Sequence, residues 1–188
     1  MQDDADRRPG DRSGGPETQE NSPPPTQALA AAGPLGHVVL YQPEIPQNTG
    51  NIGRTCVAVG AHLWLVHPMG FRLEEKRIRR AGLDYWQHLQ VREVTGWEAL
   101  QAELPPRPPW VFSRFAKRPL WSASLQRGDV FLFGSESRGL PAELLDPEDP
   151  RAVRLPTRAE VRSLNLATTV GIALYELLRQ VEARERSD

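Results

Sequence analysis

Apolar runs of strand length, each followed by a stretch that suits a helix, recur from His37 to the end of the chain. This alternation restricts the fold more than any other feature, because strands separated by helical crossovers pair in parallel. His37-Val-Val-Leu-Tyr41 reads as a short buried strand, and Gln42-Pro-Glu-Ile-Pro46 breaks it. A helix is expected from Gln47 to Gly60, with Asn48 or Thr49 as its N-cap. A strand at Leu63–His67 follows, then a basic helix near Glu74–Ala81, a strand around Leu89–Val94 and a helix from Gly96 to about Leu104. Three further strands are expected at Trp110–Ser113, Asp129–Phe133 and Ala152–Leu155. A long helix, Ser163–Arg184, closes the chain, with Leu164, Leu166, Val170, Ala173, Leu174, Leu177 and Leu178 forming a buried stripe. The fold class is α/β: a mostly parallel sheet of five or six strands with helices on both faces.

The first 36 residues fall outside this pattern. They contain six prolines, five glycines and no aromatic residue, valine or isoleucine. Such a segment buries too little apolar surface to offset its ordering entropy, so residues 1–36 are expected to form a disordered tail and residues 37–188 one domain. The tail holds six acids and three arginines, which leaves 18 acids and 20 bases, about +2, for the domain. That balance lacks the basic excess of an obligate nucleic-acid binder, and any polyanion site must be a local patch. No apolar run approaches the roughly 20 residues needed to cross a bilayer. The acidic start has no apolar signal core, and Cys56 is the single cysteine, so a cytoplasmic protein without disulfides is expected.

Familiar nucleotide signatures are missing. The sequence has no G-x-G-x-x-G after a strand and no G-x-x-x-x-G-K-[ST]. Its four histidines (His37, His62, His67, His88) show no metal-ligand spacing, and no metal is expected. Three polar clusters sit at strand ends or helix starts: Asn48-Thr-Gly-Asn-Ile-Gly-Arg54, Gly134-Ser-Glu-Ser-Arg-Gly139 and Arg162-Ser-Leu-Asn165. In an open α/β sheet, ligands bind outside the carboxyl ends of the strands, where the second cluster falls. Taken singly, Arg54 and Arg162 read better as surface arginines, and Ser163 as a helix cap. A fourth feature, Lys76-Arg-Ile-Arg-Arg80, reads alone as a solvated helix face; the neighbouring Tyr85 and Trp86 also suit phosphate contact with base stacking.

Together the segments closely resemble the SPOUT superfamily of RNA methyltransferases, and within it the wobble-position tRNA 2′-O-methyltransferases of the TrmL/YibK type. The matching pieces are Val39–Arg54, Pro68–Phe71, Lys76–Tyr85, Phe133–Pro141, Arg154–Pro156 and Ser163–Leu166, in order across residues 37–182. The resemblance implies a sheet whose C-terminal part forms a deep trefoil knot, S-adenosylmethionine as methyl donor, a homodimer, and the tRNA anticodon stem-loop as partner. Carried over by position, it assigns catalysis to Asn48, Arg54, Glu136 and Asn165. Phe112, Gly134, Leu155 and Ser163 fall at cofactor-binding positions. Phe112–Trp121 departs from the Thr- and Gly-containing sequence usual there. Lys76, Arg77, Arg79 and Arg80 are expected to contact the RNA. The rival readings are a methyltransferase of the same superfamily acting at another tRNA position or on rRNA, and a non-catalytic RNA-binding protein of that fold.

Overall fold

The computed structural model describes residues 27–31, 33–72 and 84–187. Among them, seven strands form one sheet: β1 (Gly36–Tyr41), β2 (His62–Val66), β3 (Val91–Val94), β4 (Trp110–Phe112), β5 (Arg118–Pro119), β6 (Asp129–Phe133) and β7 (Ala152–Arg154). Their order across the sheet is β3-β2-β1-β6-β4-β7-β5, and every pairing is parallel. The α-helices among the described residues are α1 (Gln27–Ala30), α2 (Pro46–Val59), α3 (Trp97–Glu103) and α4 (Leu166–Glu185).

The two central strands, β1 and β6, read as continuous apolar runs because both faces of a parallel sheet are covered. The period of two divides their side chains. Val38, Leu40, Phe131 and Phe133 face Ile52 and Cys56 of α2 and Leu174 and Leu177 of α4. Val39, Val130 and Leu132 join Trp64, Val66 and Leu100 on the other side, the side covered by α3.

The chain leaves β1 toward β2 and β3, then returns to build the other half of the sheet through β6, β4 and β7. The order therefore reverses between β1 and β6. At such a point the connections leaving two adjacent strands part in opposite directions and open a crevice beyond their carboxyl ends. Gln42–Ile45, Gly134–Gly139 and the residues after Phe112 and Arg154 all emerge there.

Several boundaries differ from expectation. The packed body begins before His37: Ala28 and Leu35 are buried, and Gly36 already pairs with Asp129 in the sheet. Of the expected tail, residues 1–26 and 32 lie outside the described residues, and so does the expected basic helix near Glu74–Ala81. Helix α2 starts at Pro46, whose fixed φ and missing amide suit the first turn, with Ile45 at the N-cap. Asn48 and Thr49 are thus inside the helix and buried, and neither caps it. At the other end Gly60 adopts φ +70°, a left-handed C-cap. Asn165, not Ser163, caps α4: its Oδ1 accepts from Ala167 N at 2.8 Å and Thr168 N at 3.3 Å. Leu164 therefore precedes the helix and is exposed, so it is not part of the buried stripe. Strand β5 has two residues and raises the total above the expected five or six.

Two titratable groups are taken up by packing. Burial, then the neighbouring His62, pushes His37 down to about 4. Its ring is therefore neutral at physiological pH, and Nδ1 accepts from Trp64 Nε1 at 3.2 Å. Burial pushes the Cys56 thiol up to about 12, which removes it as a nucleophile.

Candidate functional site

A cleft of about 890 Å³ opens at the crevice between β1 and β6. Its apolar floor comes from strand ends. Phe112 at the end of β4 stacks on Phe133 at the end of β6, with ring centroids 4.4 Å apart and an interplanar angle of 26°. Val153, Leu155 and Leu140 extend that surface.

The loop after β6 forms one wall. Ser135 and Gly139 close it with paired backbone bonds, Ser135 N to Gly139 O at 3.1 Å and Gly139 N to Ser135 O at 2.8 Å. Gly139 has φ +72°, the left-handed region that lets the chain turn back. As it returns, its backbone passes so close to Gly134 that a Cβ there would overlap Gly139 and Leu140. Gly134 is thus needed for the approach of the chain to itself, a stronger constraint than approach of a ligand.

Three segments far apart in sequence are joined through Glu136 and Asn48. Glu136 Oε2 accepts from Glu44 N at 2.8 Å, and its Oε1 accepts from Ile45 N at 3.3 Å and Asn48 Nδ2 at 2.9 Å. Asn48 Oδ1 in turn accepts from Asn165 Nδ2 at 2.9 Å. Only this orientation of Asn48 works, because turned over its oxygen would face a carboxylate. The chain Glu136–Asn48–Asn165 ties the β6 loop, the start of α2 and the start of α4 into one frame. A reciprocal contact strengthens it: Glu44 accepts from Ser137 Oγ at 2.7 Å and Ser137 N at 2.8 Å. The hydroxyl of Ser137, then its amide, with Arg138 adding to them, holds the Glu44 carboxyl below the usual carboxylate range.

Seven of the eight expected catalytic and cofactor-binding positions line this cleft: Asn48, Phe112, Gly134, Glu136, Leu155, Ser163 and Asn165. Arg54 does not. Asn48 shares a helix face with Ile52, Cys56 and Val59, which pack inward, whereas Arg54 lies about 120° round the helix and is exposed. Its guanidinium sits 4.5 Å over the Tyr85 ring, and Tyr85 Oη donates to Gly50 O at 2.9 Å. Lys76, Arg77, Arg79 and Arg80 lie outside the described residues. From the sequence Glu44 receives no role, since Pro43-Glu-Ile-Pro46 reads only as a break, and Ser137 stands in the second polar cluster without a partner assigned to it. An acid between two prolines beside a polar helix start was the available signal.

The SpoU rRNA Methylase family model matches residues 36–175, which takes in the whole sheet and the cleft. The chain belongs to the SpoU methylase family. One relative, a tRNA (cytidine(34)-2′-O)-methyltransferase of Burkholderia cenocepacia, is 48% identical over 149 residues, covering 77% of this chain and 94% of its own. A solved structure described as giving insights into the 2-OH methylation of C/U34 on tRNA matches with a TM-score of 0.69 at 46% identity, over 77% of this chain and 95% of that one. A second, an AdoMet-bound rRNA methyltransferase from Sinorhizobium meliloti, matches with a TM-score of 0.63 at 26% identity, over 77% and 56%. The mostly parallel sheet flanked by helices is the architecture this SpoU methylase shares with them. Within it, Glu136 has both carboxylate oxygens committed to the chain's own donors, so its visible work is to hold the cleft's shape.

Proposed function

We propose that this chain is an S-adenosylmethionine-dependent enzyme that methylates the ribose 2′-hydroxyl of the wobble nucleotide, position 34, in tRNA anticodon loops. The observation that carries the reading is the single frame Glu136–Asn48–Asn165 around a cleft of about 890 Å³. The relative with that activity in its name, 48% identical over nearly its full length, supplies the substrate.

The cleft suits the methyl donor. Its volume falls within the range of roughly 300–1,000 Å³ typical of small-molecule sites, and it pairs an aromatic floor with a few polar groups. Phe112, Gly134, Leu155 and Ser163 would hold the cofactor. When bound, it supplies a methyl group already activated as a sulfonium, so the protein has only to align a ribose hydroxyl and manage its proton. Asn48, Glu136 and Asn165 act as positioning residues: they fix the three segments that border the reacting centre.

Arg54 lies outside this cleft and owes its part in catalysis to the resemblance alone; it is assigned an electrostatic role, holding the target phosphate and stabilising the developing alkoxide. A guanidinium keeps its proton in proteins, so the group offers charge and donors and not a general base. Accordingly, Arg54→Ala is expected to lower kcat about 10²–10³-fold, the size found for a lost charge-stabilising donor, and Arg54→Lys to retain most of it. A lysine variant as slow as the alanine variant in a single-turnover assay would rule out charge alone as the role of Arg54.

The same reading places Lys76, Arg77, Arg79 and Arg80 against anticodon-stem phosphates and the protein in the cytoplasm. It also includes a trefoil knot in the C-terminal half and a homodimer. Support for the dimer comes from Ile172 and Tyr175, exposed one turn apart on α4, with Val161 and Leu164 exposed ahead of it. The deciding test is methylation by the purified chain of total tRNA from a strain lacking it, with mass mapping of the product. A 2′-O-methyl group at nucleotide 34 is expected; one at another position overturns the assignment and leaves the family membership standing.

A further inference from the structure

We infer that Phe115, backed by Arg114, is a stacking platform at the cleft mouth for an unstacked base of the RNA substrate. This rests on the function proposed above and deepens it. The residue follows directly from the end of β4. Phe112 is buried in the floor, whereas Phe115, three positions on, is 60% exposed and still lines the cleft. An aromatic ring left this open loses the favourable burial that usually recruits it, so its placement needs another reason.

The local chain holds the ring outward. Phe115 N donates to Ser113 Oγ at 3.2 Å, and Ala116 N donates to Ser113 O at 3.2 Å. Ala116 is itself buried and anchors the far side of the turn. A ring fixed by a turn loses little freedom when a partner stacks on it, which is the condition for affinity from a single contact. The Arg114 guanidinium lies 4.5 Å from the centroid of the ring and covers one face. Arginine over an aromatic ring is the arrangement that, in single-strand binders, combines stacking with phosphate attraction.

The charge of the cleft selects the partner. Arg114, Arg138, Arg154 and Arg162 line it; Arg138 has the Glu44 carboxylate at 4.0 Å, and the one lining carboxylate, Glu136, is occupied by backbone and amide donors. The remaining three guanidiniums beside an exposed ring fit an anionic chain carrying flat bases. They fit a second copy of the same face poorly, because like charges would then meet.

The test measures binding, not turnover. Full-length protein, wild type and Phe115→Ala, would be titrated with an anticodon stem-loop hairpin and, separately, with S-adenosylmethionine. The same hairpin with an abasic site at position 34 provides a third arm. Loss of one base–aromatic stack should weaken hairpin binding about tenfold or more. Wild type and variant should bind the abasic hairpin alike, and Phe115→Trp should restore binding to the intact one. Cofactor affinity should stay within about twofold, since the proposed contact is to the RNA base alone. Equal weakening with both hairpins, a parallel loss of cofactor affinity, or a changed oligomeric state by sedimentation would each overturn the assignment. A wild-type chain that binds no hairpin would overturn the tRNA function itself. A wild type that binds, beside an unaffected alanine variant, would overturn only the role of Phe115.

Discussion

Gly134→Ala is expected to destabilise the protein by about 3 kcal/mol or more, at or above the top of the usual range for overpacking. The reason is the identity of the neighbours. A Cβ at position 134 would overlap the backbone of Gly139 and Leu140, and backbone has no alternative rotamer to adopt. The loop cannot swing away, because Ser135 and Gly139 hold it by two backbone bonds and Glu136 and Ser137 tie it to Glu44–Asn48. At about 2–4 °C per kcal/mol for a chain of this size, the melting temperature should fall by about 6–12 °C. Cofactor binding should fall with it, since the displaced loop walls the cleft. An alanine variant melting within a degree or two of wild type would mean that the loop does not close in this way.

Glu136→Ala is expected to cost both stability and activity, and the size of each identifies what Glu136 does. Removing the carboxylate strands the amides of Glu44 and Ile45 and the Asn48 side-chain amide. An unsatisfied buried donor costs about 1–3 kcal/mol; Asn48 is buried, whereas Glu44 is half-buried and Ile45 exposed, so a total of about 2–4 kcal/mol is expected. The frame that joins Asn48 to Asn165 should loosen, and a misplacement on the order of 1 Å costs about 100-fold in rate. Glu136→Gln separates positioning from proton transfer. If Glu136 positions, glutamine disturbs the donors around it and lowers both the melting temperature and kcat, though less than alanine. A glutamine variant of wild-type stability with kcat reduced a hundredfold would instead make the carboxylate a proton acceptor.

Much of the fold was legible because it depends on local signals. Strand β6 was read to the residue, since a fully buried parallel strand is an unbroken apolar run. Strand β5 was not, because Arg118–Pro119 carries no apolar signal and pairs only through the register set by β7. The N-cap of α2 was misassigned for an instructive reason. Asn48 and Thr49 have the side chains that caps require, but Pro46 already sets the start of the helix, and Asn48 is then needed elsewhere. The same competition explains α4, where Asn165 caps the helix with Oδ1 while its Nδ2 reaches Asn48. Ala28 and Leu35 were assigned to the tail because proline and glycine around them dominate the local composition, yet each fills a place in the core.

The sequence by itself determined the alternation of strands and helices, hence a parallel sheet, and it placed three polar clusters where such sheets bind ligands. Those properties follow from periodicity and from the residue types that interrupt it. Which clusters meet was decided only in three dimensions. Asn48, Glu136 and Asn165 are separated by 88 and 117 positions along the chain from their hydrogen-bond partners, and nothing local encodes that convergence. The reversal of strand order between β1 and β6 brings them together. Helix geometry then excludes Arg54 from the cleft that Asn48 enters, although only six residues separate them, because a rotation of about 120° sends the two side chains to different faces.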